Sequence, residues 1–248
     1  MAYKVSKRKL PLREDKQLHE INKIAGRVFD RKTLDVLVRM LNAEIFRSLD
    51  YPIASGKEAI VFRATTKTGY AAVKVYKYET SSFHHMLPYI EGDPRFKAVR
   101  RKRDLVQLWA RKEFANLQAC CVSGISAPEP IAMRDNVVVM EFLGEKGVPY
   151  ALLEDVIVEK PAEVCDAILA DVKKLYRDAD IVHADLSPFN VIMRKQEPVI
   201  IDWGQAVLTE HPQAENYLRS DVTNIVKYFG RLGVKRELET TLEKIMHG

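Results

Sequence analysis

Residues 181–193 read IVHADLSPFNVIM, so a carboxylate, Asp185, stands two residues after His183 and five before the amide of Asn190. Apolar runs close in on both sides. An acid, a proline and an amide between two such runs fit either a surface turn or a loop that transfers phosphate. Phosphoryl transfer needs a carboxylate near the attacking hydroxyl or water, and a hard oxygen ligand for magnesium. An Asp and an Asn on one tight loop supply both. Three other positions fit the same chemistry. Lys74 interrupts the apolar run AAVKVY and alternates with Val73 and Val75, so it faces away from them, either on an exposed edge or into a cleft where it neutralises phosphate oxygens. Glu113, in WARKEFANL, lies one helical turn from both Trp109 and Leu117, and a carboxylate on that apolar side needs a cation such as Lys74. Asp202 ends the apolar run of VIIDWGQA twelve residues after Asn190, a spacing that lets a hairpin return it beside Asn190 so that two oxygen ligands converge on one metal.

These side chains need elements to hold them. From Thr33 to Leu49, apolar residues at Leu34, Leu37, Val38, Leu41, Ile45 and Leu49 predict a helix capped by Thr33 and stopped by Pro52. AIVFRATTKTGYAAVKVYKY reads as a hairpin turning through TTKTG, and PEPIAMRDNVVVMEFLG as a second turning at residues 134–136. Residues 79–98 carry two Pro, a Gly and a His pair and read as a long loop, with His84 and His85 facing solvent. The spacing predicts a long helix from about Phe96 to Cys120, another marked by Val164, Ile168, Val172 and Leu175, and a last one over Ser220–Phe229. Between the last two, VIMRK and VIID form a third hairpin around QEP.

In this order, a strand lysine, a helix glutamate, H-x-D-x-x-x-x-N and D-x-G form the protein-kinase signature. The whole set resembles the type-1 subfamily of the RIO family of atypical protein kinases. SGKEA (55–59), VKVY (73–76), RKE (111–113), HADLSPFN (183–190) and IDWGQ (201–205) carry the resemblance, joined by PEPI (128–131) and VMEF (139–142). It spans nearly all of residues 20–240. It implies an α+β, bilobed kinase-like fold with a truncated C-lobe and an N-terminal helical extension. Its divisions are an arm and helices over 1–50, an N-lobe with the hinge at its end over 51–143, and a shortened C-lobe over 144–248. It implies ATP with magnesium or manganese, serine/threonine kinase or ATPase activity, and work on maturing small ribosomal subunits. By the resemblance Lys74 contacts the ATP phosphates and Glu113 fixes it. Ser55 and Lys57 lie in the loop over the phosphates, and Glu141 and Leu143 offer backbone groups to adenine. Asp185 is the catalytic base, Asn190 and Asp202 hold metal, and Asp202 can itself accept phosphate.

Some features depart from ordinary kinases. ASGKEA replaces the G-x-G-x-x-G loop, and its single glycine predicts a stiffer cover; it lacks the upstream Gly and following Ser/Thr of a Walker A motif. Ala184 stands where kinases often carry an arginine that grips a phosphorylated loop. No A-P-E follows Asp202, and residues 203–220 leave little room to dock a peptide, which predicts poor activity on free peptides. Aminoglycoside- or choline-kinase-like enzymes share the two short motifs but carry a larger helical C-terminal region. The other alternative is a silent scaffold that acts only by docking, against which all four polar groups are intact.

With 248 residues the chain has the length of one two-lobed domain or of two small domains. No apolar run approaches the ~20 residues that span a bilayer. The basic start lacks the apolar core of a secretory signal, so a cytoplasmic protein without a membrane contact is expected. Cys120, Cys121 and Cys165 form no C-x-x-C pair, which argues against zinc. The formal charge of +5 favours an acidic partner, and the densest basic runs, 4–13 and 95–103, are the expected contacts to ribosomal RNA.

Overall fold

Val73 and Val75 pack to one side of their strand, while Ala72 and Tyr76, the residues that flank Lys74 at i±2, pack to the other. That alternation organises the first half of the molecule, because a different helix covers each face. The computed structural model describes residues 29–79, 83–96, 99 and 101–248. The basic run 4–13 lies outside the described residues, as do parts of 79–98 and 95–103.

Helix α1 (Arg31–Asn42) is capped by Asp30, whose Oδ1 accepts from the Thr33 backbone N–H at 2.9 Å. The expected cap at Thr33 is therefore corrected by one turn. The helix is also shorter than the apolar spacing predicts, since residues 48–55 form strand β1 (Ser48–Ser55). Pro52 sits within that strand, which is tolerated because β1 is a sheet edge. Strands β2 (Ala59–Thr65) and β3 (Tyr70–Tyr76) form the first expected hairpin. The expected loop over 79–98 contains a short helix, α2 (Phe83–Met86), and a 3-10 turn over Leu87–Tyr89; His85 is exposed, as expected. Helix α3 (Lys102–Val122) is unbroken and starts later than expected. Strands β4 (Pro130–Arg134) and β5 (Val137–Glu141) complete an antiparallel sheet of order β1-β2-β3-β5-β4. Val36, Leu37 and Met40 of α1 pack on Val73, Val75, Val137 and Val139. Leu105, Leu108 and Trp109 of α3 join the cluster that holds Ala72, Tyr76, Val138 and Met140.

A small hairpin of β6 (Gly144–Glu145) and β7 (Val148–Pro149) follows. Its Gly147 carbonyl accepts from Tyr51 Oη and Arg63 Nη1, both at 3.0 Å, which ties it back to the sheet. Helix α4 (Pro161–Asp178) buries Val164, Ile168, Val172 and Leu175, as the spacing predicts. Strand β8 (Ile181–Val182) leads into the HADLSPFN stretch, and β9 (Val191–Arg194) with β10 (Glu197–Ile200) forms the third hairpin. Its turn lies at residues 195–196, with Pro198 inside β10 rather than in the turn. After β11 (Val207–Leu208), which pairs with β8, helix α5 (Ala214–Arg231) begins six residues before the expected start at Ser220. A further helix, α6 (Leu238–Met246), was not anticipated; it buries Leu242 and Ile245.

Candidate active site

Strand β3 lies in the middle of the sheet, and Lys74 is only 7% exposed, which removes the edge-strand reading. Its ammonium is 2.6 Å from Glu113 Oε1 and 2.8 Å from Asp202 Oδ1. Burial alone would push this lysine down. The Asp202 and Glu113 carboxylates outweigh it and hold the ammonium well above the usual lysine range. Glu113 is fully buried, and its second oxygen accepts from Tyr76 Oη at 2.5 Å. Burial raises the Glu113 carboxyl, with Lys74 opposing. Burial raises Asp202 too, but Lys74 prevails and leaves it below the ordinary aspartate value. Asp202 gives Oδ1 to Lys74, and 48% of its side chain opens to the cleft.

Asp202 has φ +66° and Ala184, just before Asp185, also has φ +66°. Left-handed backbone at residues other than glycine costs about 1–3 kcal/mol and survives only where neighbours enforce it. At Ala184 the enforcing group is Asp221 of α5. Its two oxygens accept from Ala184 N at 2.8 Å and Leu186 N at 2.7 Å, so one carboxylate clamps both sides of Asp185. Burial pushes Asp221 up to about 7, against those two bonds. Asn224, one turn on, donates to Leu186 O at 3.1 Å. His183 is buried against Trp203, ring centroids 4.7 Å apart, with Nε2 at 3.0 Å from Ile201 O.

Asn190 sits in a 3-10 turn and donates Nδ2 to Asp185 O at 2.7 Å and to Asp185 Oδ2 at 3.1 Å. Gln205 Nε2 reaches the same Oδ2 at 3.1 Å. Burial raises the Asp185 carboxyl, and the nearby Asp202 raises it further. The third hairpin does what the spacing predicts, since Ile201 N donates to Asn190 O at 2.9 Å and sets Asp202 near Asn190. Beyond Asp202, Gly204 passes close to α3. A Cβ there would lie 2.6 Å from Trp109 Nε1, so only glycine fits.

A cleft of about 820 Å³ runs between the sheet and the second half of the chain. Ser55, Lys57, Lys74, Glu113, Glu141, Leu143, Asn190 and Asp202 all line it; Asp185 does not, but is bonded to Asn190 and Gln205, which do. Ile53, Val61, Ala72, Met140 and Ile192 give the far end an apolar lining. There Leu143 O accepts from Tyr150 N at 3.0 Å, and the Glu141 side chain pairs with Arg194 of β9 at 2.5 Å.

Sequence reasoning missed Tyr76, Gln205 and Asp221. Tyr76 was within reach, because it shares a strand face with Lys74 at i+2. Asp221 left no local signal, being 36 residues from Asp185 and mid-helix. Among the described residues of the basic run 95–103, the charges are partnered. Arg95 pairs with Asp93, Arg101 with Asp104 and Arg103 with Asp30, and Lys102 donates to Glu79 O. Of the thiols, Cys120 and Cys165 are buried and Cys121 is exposed. No group of three or more His, Cys, Asp or Glu among the described residues could hold a metal alone, and no helix there is long and apolar enough to cross a membrane.

The fold is that of a kinase, and comparison with solved structures agrees. The Rio2 kinase of Chaetomium thermophilum, in an ADP/Mg2+-phosphoaspartate complex, superposes with a TM-score of 0.67 at 22% identity, covering 87% of this chain and 66% of that one. The RIO domain family matches residues 60–243. The RIO-type serine/threonine-protein kinase Rio1 of Haloferax volcanii is 38% identical over 223 residues, 89% of this chain and 77% of the relative. Its counterpart in Methanocaldococcus jannaschii is 38% identical over 221 residues, 89% and 76% of the two chains. The chain belongs to the RIO family, Rio1 type, and is an atypical serine/threonine protein kinase.

Proposed function

We propose that the cleft binds ATP with magnesium and moves its terminal phosphoryl group. One observation carries this reading: a buried lysine held at once by the helix glutamate, at 2.6 Å, and by the cleft aspartate, at 2.8 Å. Adenine lies at the apolar end against the backbone of Glu141 and Leu143. Ser55 and Lys57 cover the phosphates, and Lys74 neutralises them while Glu113 and Tyr76 keep its ammonium in place. Asn190 and Asp202 hold magnesium. Asn190 turns Nδ2 to Asp185, which leaves Oδ1 as its ligand end, and Asp202 keeps Oδ2 beside the Oδ1 that faces Lys74. Two protein oxygens fit a magnesium that brings its other ligands from phosphate and water. When bound, the metal neutralises charge on the phosphate oxygens.

Asp185 takes the proton of the attacking hydroxyl, with Gln205 and Asn190 fixing the carboxylate's direction. The phosphoryl group has two routes. A serine or threonine oxygen attacks phosphorus and ADP leaves. Alternatively an Asp202 oxygen attacks, ADP leaves, and water then cleaves the acyl phosphate, giving its proton to Asp185. The phosphoaspartate in the Rio2 complex supports the second route. The biological setting, maturation of small ribosomal subunits, rests on the family resemblance, and a cytoplasmic location rests on the sequence's lack of a secretory signal. Among the described residues of 95–103, Arg95, Arg101, Lys102 and Arg103 have partners within the chain, which weakens the case for this run as a ribosomal RNA contact. Asp185→Ala tests the reading: turnover should fall roughly 10²–10⁴-fold, with ATP binding kept, if Asp185 is the general base. Turnover equal to that of the unsubstituted protein would refute it.

A further inference from the structure

Lys112 and Asp93 are buried charged groups for which the proposed chemistry has no use. Lys112 neighbours Glu113 on α3, and its side chain is fully buried. Its ammonium donates to the carbonyl of Ala206. One turn on, the fully buried Asn116 donates Nδ2 to Trp203 O at 2.8 Å and to Ala206 O at 3.0 Å. These carbonyls belong to the chain leaving Asp202, so α3 holds the segment that carries the metal-side carboxylate.

Both donors are themselves held from outside the helix. Asp93 Oδ2 lies 3.5 Å from Lys112 Nζ. Arg95 donates Nη1 to Asn116 Oδ1 at 2.9 Å, while its Nε and Nη2 clasp Asp93 at 3.0 and 2.8 Å. Asp93 and Arg95 lie on residues 86–96, which cross from the N-terminal sheet to the second half of the molecule. That strap is fastened a second time. His211 Nε2 lies 2.9 Å from both Pro88 O and Glu91 O, and so carries its hydrogen, while Nδ1 accepts from Gln213 N at 3.1 Å. Tyr89 stacks on Tyr217 with ring centroids 5.3 Å apart. Gly92, at φ +96°, passes where a Cβ would meet Pro212 at 2.9 Å.

We infer that Asp93 and Arg95 are positioning residues for Asp202: docking of the strap aims Lys112 and Asn116, and these fix the backbone that presents the carboxylate to the metal. Lys112 and Asn116 have two jobs each, one toward the strap and one toward residues 203–206. Removing the strap's half leaves their polar atoms buried and short of a partner, and they then shift to recover one. The strap thereby becomes part of the metal end of the site without touching a ligand. This inference rests on the reading that Asp202 holds magnesium.

The test uses the full chain with Arg95→Met, whose side chain is partly exposed, and Asp93→Asn as a milder second variant. A lost hydrogen bond to a charged group corresponds to about tenfold in an equilibrium. Hydrogen exchange over residues 201–209 should therefore quicken roughly tenfold in Arg95→Met, with α4 and α5 unchanged. The magnesium concentration for half-maximal turnover should rise by a similar factor, while ATP affinity measured without metal stays within about twofold. Unchanged exchange over 201–209 overturns the inference. So does exchange that quickens everywhere, or metal-free ATP affinity that falls as far as the magnesium response, since either marks a general loss of structure. Asp202→Asn, run beside them, judges the underlying reading separately: an unaltered magnesium response there removes Asp202 as a ligand, whatever the exchange shows.

Discussion

Tyr76 shows how much one hydroxyl can govern. Lys74 satisfies one oxygen of Glu113, and Tyr76 satisfies the other. Tyr76→Phe keeps the ring but strands a buried carboxylate oxygen, which costs about 1–3 kcal/mol. Urea unfolding should register that loss, and KM for ATP should rise because the Lys74 position loosens. His183 gives a second residue-scale prediction. Burial, against the Ile201 carbonyl and Asp202, pushes its pKa from 6.5 down to about 4. Between those values the unfolded chain binds a proton that the folded chain does not, so stability falls as pH falls through that window. The loss amounts to roughly 3 kcal/mol, with no slope from this group above or below it. Denaturation at several pH values should show that slope, and His183→Phe should flatten it. Lys74, Asp185, Asn190 and Asp202 were legible in the sequence because each stands within or beside an apolar run at a fixed spacing, and Glu113 because it falls on the apolar side of a helical repeat. Asp221, Asn116 and Lys112 were not, because each acts on backbone far along the chain and a lone polar residue in a helix has no distinguishing pattern.

At the scale of elements, α5 and the loop that carries Asp185 form one unit through Asp221. Asp221→Ala leaves the N–H groups of Ala184 and Leu186 unpaired, each worth about 1–3 kcal/mol, and frees Ala184 from its left-handed conformation. The variant should lose stability in thermal unfolding and should lose turnover beyond what ATP affinity explains. The hairpins were readable because β-branched and aromatic residues crowd short runs around turn residues, and the two faces of β3 because side chains alternate along a strand. Strand β1 was not. Most of its residues are partly or fully exposed at the sheet edge, so alternation is absent, and Ile45 and Leu49 fell by coincidence on a helical spacing. Helix α6 escaped because only Leu242 and Ile245 of its nine residues are buried.

At the scale of the molecule, two apolar cores lie on opposite faces of the sheet, and the inner one borders the cleft. One contains α1 and the outer face of the sheet. The other contains the inner face, α3 and the C-terminal helices. That inner core runs on into the second half of the chain, and polar ties add to it: Lys74 to Asp202, Arg194 to Glu141, and Arg63 to the Gly147 carbonyl. The partly exposed Arg194–Glu141 pair can exchange its bond for water at little cost, whereas the buried Lys74 ammonium must keep a carboxylate partner. Residues 203–213, between Asp202 and α5, are pinned by α3 and the 86–96 strap. That pinning fits the expectation that free peptides are poor acceptors, which a peptide phosphorylation assay checks. The described basic residues of 95–103 have partners within the chain, whereas residues 1–28 of the sequence hold eight Lys or Arg against three Asp or Glu, which accounts for the net charge of +5.

The measurement that bears most directly on the central claim is the fate of label from the γ-phosphate of ATP, with magnesium, in the unsubstituted protein, Asp185→Ala and Asp202→Asn. The account predicts magnesium-dependent movement of label in the unsubstituted protein. The label should appear on serine or threonine, as hydroxylamine-sensitive acyl phosphate on Asp202, or as released phosphate, and should move far more slowly in both variants. Label that stays on ATP in the unsubstituted protein, or moves as fast in both variants, would contradict it.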